Sequence, residues 1–119
     1  MAIFIKRVYA PAAAGDGWRV LVDRLWPRGL RKEAAALDLW LKDVAPSNAL
    51  RQWFGHEIDK WPEFVTRYRA ELAALQSEHP ETLTELRTRL QAGDITLLFA
   101  AHDTKRNQAV VLKEWLEKQ

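Results

Sequence analysis

The residues best placed to do chemistry come directly after a short apolar run, Val20-Leu21-Val22, which is typical of a buried strand. They are Asp23, Arg24, Trp26 and Arg28. Guanidinium groups hold carboxylates or phosphates through two parallel hydrogen bonds, and an indole ring offers a flat face to a base or a sugar. This cluster therefore predicts a site for an anionic ligand, with Arg24 and Arg28 as its main cationic contacts and Trp26 beside them.

Two further groups of polar residues follow predicted strands. Arg7 and Tyr9 lie at the exit of the first strand, and His102 and Asp103 come after the last one, shortly before Asn107 at the start of the final helix. If the sheet is parallel, all the strand ends lie at one edge, where open α/β sheets bind ligands. The first turn of the final helix would add backbone N–H groups that favour anions. We therefore predict that Arg7, Tyr9 and Asn107 also bind the ligand.

Three of these residues are candidates for proton transfer. His102 is the strongest, because an unperturbed imidazole has a pKa of about 6.5. Asp103 and Asp23 are the other candidate acids or bases, and Asp23 is also predicted to orient the arginines. A structural role remains open for each: Asp23 would form an ion pair that pins the turn, and His102 with Asp103 would cap a turn.

Several reaction classes lack their usual signatures. The chain has no cysteine, which excludes disulfides and thiolate chemistry. It has no glycine-rich dinucleotide motif, no phosphate-binding loop and no nucleophile elbow. Its histidines, among them His56 and His79, are too dispersed for a local zinc motif, so no metal ligands are predicted and any cofactor is unknown. His56 is expected to end a helix.

Length and charge limit the partners. The 119 residues, of which 48% are hydrophobic, suit one domain over residues 1–119. The chain has no apolar stretch that could span a bilayer and no signal-peptide pattern, so a cytoplasmic location and no membrane partner are expected. Residues 1–36 carry seven Lys or Arg against three Asp or Glu, which keeps a nucleic-acid-binding module open as a second, less favoured function. A protein-interaction adaptor without catalysis is the third alternative, and the oligomeric state is open.

The elements that must position these residues follow from periodicity. Strands are predicted over 3–8, 18–23 and 95–100, and residues 37–41 alternate in a way that suits either a strand or a helix. Helices are predicted after Ser47 as an N-cap, after Asp59 as a candidate cap, from Pro80, and over 107–116. Unbroken apolar strands joined through helices predict an α/β fold, in which a small, mainly parallel sheet is flanked by helices on both faces.

Long stretches of the chain resemble a known family. The stretches are Lys6-Arg7-Val8-Tyr9, the run from Arg19 to Gly29, Leu39-Trp40-Leu41-Lys42-Asp43, Leu50-Arg51 with Trp53-Phe54-Gly55-His56, and Thr96-Leu97-Leu98-Phe99-Ala100-Ala101. They are similar to the YeaO-like branch of the bacterial domain of unknown function 488. The resemblance implies a small cytoplasmic α/β protein without an established activity. Larger relatives carry a Cys-His-Arg run where this chain has Asn107-Gln108-Ala109, so the resemblance implies no cysteine chemistry here.

Overall fold

The strands form one parallel sheet, seen in a computed structural model that describes residues 1–118. The strands are β1 (Ile3–Arg7), β2 (Trp18–Leu21), β3 (Leu39–Trp40) and β4 (Ile95–Phe99). They lie in the order β1-β4-β2-β3, and each neighbouring pair is parallel. All five residues of β4 are buried, as its sequence, which is apolar except for Thr96, predicts for a central strand. The predicted α/β class is therefore confirmed.

The helices are α1 (Lys32–Ala35), α2 (Asn48–Phe54), α3 (Trp61–Glu78), α4 (Pro80–Ala92) and α5 (Gln108–Glu117). The last four begin close to the positions predicted from the sequence. Ser47 is confirmed as the N-cap of α2, because its side chain accepts a hydrogen bond from the backbone of Leu50 at 3.1 Å. Asp59 is not the cap of α3: it lies in a short 3₁₀ turn that precedes the helix. Within the described residues, no helix is both long and apolar enough to cross a membrane.

The two faces of the sheet are covered differently. The larger core lies on the face that holds Val20, Leu97 and Phe99, and it packs against the apolar sides of α2, α3, α4 and α5. A smaller cluster on the other face joins Leu21 and Leu98 to Ala35 of α1 and to the irregular segment around Trp26. The short α1 and this segment therefore hold the end of β2 in place from the second face.

A paired polar network fixes the start of β2. Asp16 accepts hydrogen bonds from the backbone N–H of Ala13 at 3.0 Å, from Lys6 Nζ at 3.1 Å and from the guanidinium of Arg19. Gly17, the next residue, has a φ of 65°. A Cβ at Gly17 would lie 2.3 Å from the carbonyl oxygen of Asp94, so only glycine lets β2 begin this close to the chain that leads into β4.

Candidate ligand-binding site

The carboxyl ends of β1, β2 and β4 lie at one edge of the sheet, because each strand pairs in parallel with its neighbour. The parallel arrangement on which the predicted site depends is therefore confirmed. A cavity of about 680 Å³ opens at this edge. Its walls come from the segments after these three strands and from parts of α2, α3 and α5, which is the usual place for a ligand in an open α/β sheet.

Asp23 lines the cavity and is partly buried. Its Oδ2 accepts a hydrogen bond from the backbone N–H of Ala100 at 3.2 Å, and its Oδ1 accepts one from the side-chain amide of Gln108. Burial raises the pKa of the Asp23 carboxyl to about 6, although these two bonds and the charge of Arg51 act in the opposite direction. Asp23 therefore changes its charge near neutral pH, as carboxyl groups in functional sites often do.

Arg24 also lines the cavity, but its guanidinium is engaged by the backbone. It donates to the carbonyl of Pro46 at 3.0 Å and to that of Ala45 at 2.9 Å, which fastens the end of β2 to the segment before α2. Within residues 1–118, Asp23 forms no ion pair with Arg24 or Arg28, so the predicted orientation of these arginines by Asp23 is wrong. The role of Arg24 as an anion contact stays a prediction.

Aromatic side chains hold the turn after β2 in place. Trp26 donates from Nε1 to the carbonyl of Leu30 at 2.8 Å and packs edge-on against Trp40, with the ring centroids 5.3 Å apart. The Tyr9 hydroxyl donates to the backbone carbonyl of Arg28 at 2.8 Å. Tyr9, Trp26 and Arg28 all line the cavity, and their contact with a ligand stays a prediction. The Arg28 side chain is exposed there, and its guanidinium has no hydrogen bond or ion pair to any residue from 1 to 118.

Arg7 lies beside the cavity and is not part of its lining. Its guanidinium donates to the carbonyls of Ala101 at 2.9 Å and Ala100 at 3.1 Å, and it stacks over the ring of Tyr9 at 5.0 Å. These contacts join the end of β1 to the end of β4. The structure therefore places Arg7 in a supporting position and gives its predicted contact with a ligand no support.

The residues after β4 form a turn that leads into α5. The Asp103 carboxylate accepts from the backbone N–H groups of Lys105 at 2.9 Å and Arg106 at 3.0 Å, and these bonds lower its pKa. Asn107 is the buried N-cap of α5, and its side-chain amide donates to the Asp103 carbonyl at 2.9 Å. His102 is exposed at the cavity. Because Asp103 is held ionised by the turn, His102 and Asp23 remain the better candidates for proton transfer.

Arg51 and Gln108 also line the cavity, although neither is among the candidate residues predicted from the sequence. Leu50 and Phe54 of α2 are buried in the core, and Arg51 lies between them on the helix. Arg51 donates from Nη2 to the side chain of Asn48 at 3.0 Å, while its buried Nε has no hydrogen-bond partner in the described part of the chain. A buried donor without a partner costs about 1–3 kcal/mol, so Arg51 calls for an explanation.

His56 lines the cavity as well, at the end of α2. The sequence predicts that His56 lies at the end of this helix, and it does follow Gly55, the left-handed C-cap. His56 itself has a φ of 59°, which is uncommon outside glycine and is often found at functional sites. Arg51 and His56 both belong to the stretch from Leu50 to His56 that contributes to the family resemblance. This resemblance is the one feature of the sequence that could have pointed to them as site residues.

The charged residues of the cavity favour an anion. Three arginines line it against two aspartates, and two histidines add to its basic character: Arg24, Arg28 and Arg51, Asp23 and Asp103, His56 and His102. Among residues 1–118, no group of three His, Asp or Glu side chains is arranged to hold a metal ion. The lining therefore suits a carboxylate or phosphate group.

Comparisons with known proteins agree with the resemblance found in the sequence. The family described as "Inactive DUF488-N3 subclade" matches residues 2–119. The protein of Escherichia coli named "Uncharacterized protein YeaO" is 44% identical over 116 residues, which cover 98% of this chain and 97% of that protein. An uncharacterized protein of Mycobacterium tuberculosis is 39% identical over 112 residues, which cover 94% of this chain and 91% of that protein. No solved structure matches the chain.

Proposed function

The chain belongs to the inactive DUF488-N3 subclade, and we propose that it binds an anionic small molecule without transforming it chemically. The ligand is a nucleotide or another phosphorylated or carboxylated metabolite, and it binds in the cavity at the carboxyl edge of the sheet. The cavity volume of about 680 Å³ supports this proposal. Pockets that bind small molecules usually measure about 300–1,000 Å³.

The observation that carries the proposal is the free guanidinium of Arg28 at the cavity. Most other basic groups near this edge are engaged by the protein itself, as Arg7 and Arg24 are by backbone carbonyls. Arg28 has no such partner within residues 1–118, while its backbone is fixed by Tyr9. A guanidinium on a fixed backbone with all its donors free is well suited to bidentate binding of a carboxylate or phosphate.

The contacts of the predicted catalytic residues favour binding over catalysis. Asp103 and Asn107 hydrogen-bond within the turn before α5. His102 is exposed, and no side chain within residues 1–118 hydrogen-bonds to it. Catalytic bases are usually oriented by a third group, so His102 lacks the support that such a role needs. The description of the family as inactive agrees with this proposal.

The contacts of the basic residues in the first third of the chain weaken the nucleic-acid alternative. Of the seven in residues 1–36, four make internal contacts. They are Lys6, Arg7, Arg19 and Arg24. A nucleic-acid backbone needs a row of available cations, and these four are not available. The small-molecule proposal needs only the cations at the cavity.

A thermal-shift screen of the purified chain against nucleotides, sugar phosphates and carboxylates tests the proposal. A ligand at about 100 times its Kd adds about 2.7 kcal/mol to the free energy of unfolding. We expect Arg28→Met to weaken the binding of such a ligand about tenfold or more, because a charge-assisted bond is lost. Arg31→Met is the matched control, since Arg31 is exposed and lies outside the cavity lining.

Two results would contradict the proposal. If no compound in the screen stabilises the protein, the proposed anion site is wrong. If Arg28→Met and Arg31→Met reduce the stabilisation equally, the ligand does not bind at Arg28. Chemical conversion of a bound ligand, followed by NMR, would show that the binding-only part of the proposal is wrong. Asp23 would then be the first residue to test as the acid or base.

A further inference from the structure

Asp23 and Arg51 carry opposite charges and line the same cavity, yet they do not pair. The charge of Arg51 is close enough to favour the ionised form of Asp23. No nitrogen of Arg51 comes within ion-pair distance of the Asp23 carboxylate in the described structure. Both side chains are partly buried, and opposite charges that are partly withdrawn from water and held apart are unfavourable for the fold, because neither compensates the desolvation of the other. A ligand that bridges them would remove this penalty.

We infer that the space between Asp23 and Arg51 binds an α-amino acid, with the ammonium group on Asp23 and the carboxylate on Arg51. This inference rests on the proposed function, because it uses the same cavity. It narrows the ligand from phosphorylated and carboxylated metabolites in general to zwitterions. The ammonium group of a zwitterion can face Asp23 while its carboxylate faces Arg51, so each end of the ligand meets a protein group of opposite charge.

Both side chains have the capacity for these bonds. Each Asp23 oxygen accepts one hydrogen bond from the protein, and a carboxylate oxygen has two lone pairs, so acceptor sites remain for an ammonium group. Arg51 uses one of its donors on Asn48, and a guanidinium has five. Asn48 is exposed, so this bond competes with water and is easily exchanged for a ligand carboxylate.

One part of the lining is apolar and can receive the side chain of the amino acid. Phe54 and Phe64 border the cavity beside Arg51, and Pro27 and Pro46 border it near Asp23 and Arg24. These surfaces offer no hydrogen-bonding side chain to a polar substituent. We therefore expect amino acids with apolar side chains to bind more tightly than those with charged ones.

Calorimetric titration at neutral pH with L-phenylalanine, L-leucine and L-methionine tests the inference. The tightest of the three is then compared with its N-acetyl derivative, which has no ammonium group, and with its amide, which has no carboxylate. Blocking either end should weaken binding about tenfold or more, since each end makes a charge-assisted hydrogen bond. These comparisons use the unaltered protein, so they do not depend on the folding of a variant.

Variants assign each end of the ligand to its residue. Asp23→Asn should weaken binding of the free amino acid and leave binding of the N-acetyl form unchanged. Arg51→Met should weaken binding of the free amino acid and leave binding of the amide unchanged. Arg31→Met, outside the cavity, should leave the binding of all three forms unchanged. Equal binding of the free, N-acetyl and amide forms would overturn the inference, and so would equal effects of the two cavity variants on both derivatives.

The same measurements separate this inference from the proposed function. If inorganic phosphate or a nucleotide stabilises the protein through Arg28 while none of the three amino acids binds, the zwitterion site is wrong and the anion site stands. If neither group of probes binds, both are wrong. If the amino acids bind and lose affinity on Asp23→Asn and Arg51→Met, the zwitterion site is supported. The proposed anion site is supported as well only if Arg28→Met weakens the binding of phosphate or a nucleotide.

Discussion

Two aspartates flank β2, and the protein surrounds them in opposite ways. Asp16, before the strand, accepts hydrogen bonds from Ala13, Lys6 and Arg19, which together lower its pKa. Asp23, after the strand, accepts only from neutral donors, and burial raises its pKa to about 6. The first carboxylate is fully compensated by its own chain and the second is not. The difference separates a group that holds the fold together from one that is available to a ligand.

Two arginines show the same contrast. Arg19 donates to the carbonyls of Ala36 at 3.0 Å and Ala35 at 2.8 Å as well as to Asp16, so each of its nitrogens has a partner. Arg51 has a single hydrogen bond, to the exposed Asn48, and a buried Nε without a partner in the described part of the chain. The network at the start of β2 is therefore complete, whereas the groups at its other end have unused capacity.

Arg19→Met should have the largest effect on stability. It leaves Asp16 partly uncompensated and two backbone carbonyls without donors, and breaking a buried pair in this way costs about 3–5 kcal/mol. Urea unfolding at neutral pH measures the loss. Arg51→Met serves as the comparison, with an expected change several times smaller. Equal losses from the two variants would show that Arg51 is as much a part of the scaffold as Arg19.

The two aspartates should give opposite pH dependences. The pKa of Asp23 is about 6 in the folded protein against 3.8 ordinarily, so between these values the folded protein binds more protons than the unfolded chain. Stability from this group therefore falls as the pH rises through that window, by about 3 kcal/mol for a shift of about two units. Asp23→Asn should remove this fall, which is measured as the difference between wild-type and variant urea curves across the pH range.

Asp16→Asn is the control for this measurement. The pKa of Asp16 is lowered in the folded protein, so its stabilisation is present above its ordinary value of 3.8 and is lost as the pH falls through the lowered value. The advantage of the wild type over Asp16→Asn should therefore shrink only in strong acid. If both difference curves sloped in the same direction, the proposed contrast between the two ends of β2 would be wrong.

The sheet could be predicted from the sequence because its central strand is apolar except for Thr96. Ile95 to Phe99 has no alternation, which indicates burial on both faces and parallel neighbours. The sequence alone does not decide between strand and helix for β3, because Leu39 and Trp40 become a strand only through pairing with Val20 and Leu21 of β2. Such pairing depends on tertiary contacts that local periodicity does not contain.

The candidate site was only partly predictable for the same reason. Asp23, Trp26 and Arg28 follow a strand directly, so their place at the cavity follows from topology. The contact of Gln108 with Asp23 joins residues 85 positions apart and depends on how α5 packs. Arg7 is the last residue of β1, at the same edge of the sheet, yet its side chain turns to the backbone at the end of β4, which no spacing rule reveals.

Arg51→Met should have the smallest effect on stability and the most specific effect on the site. Because Arg51 makes one exposed hydrogen bond, the free energy of unfolding should change by about 1 kcal/mol or less. Its charge lowers the pKa of Asp23, so removing that charge should raise this pKa further above 6. An NMR titration of the Asp23 carboxyl carbon measures the shift, with Arg31→Met as the control for a change in net charge. An unchanged pKa would mean that Asp23 and Arg51 do not sense each other, and a ligand that bridges them would then lack its physical basis.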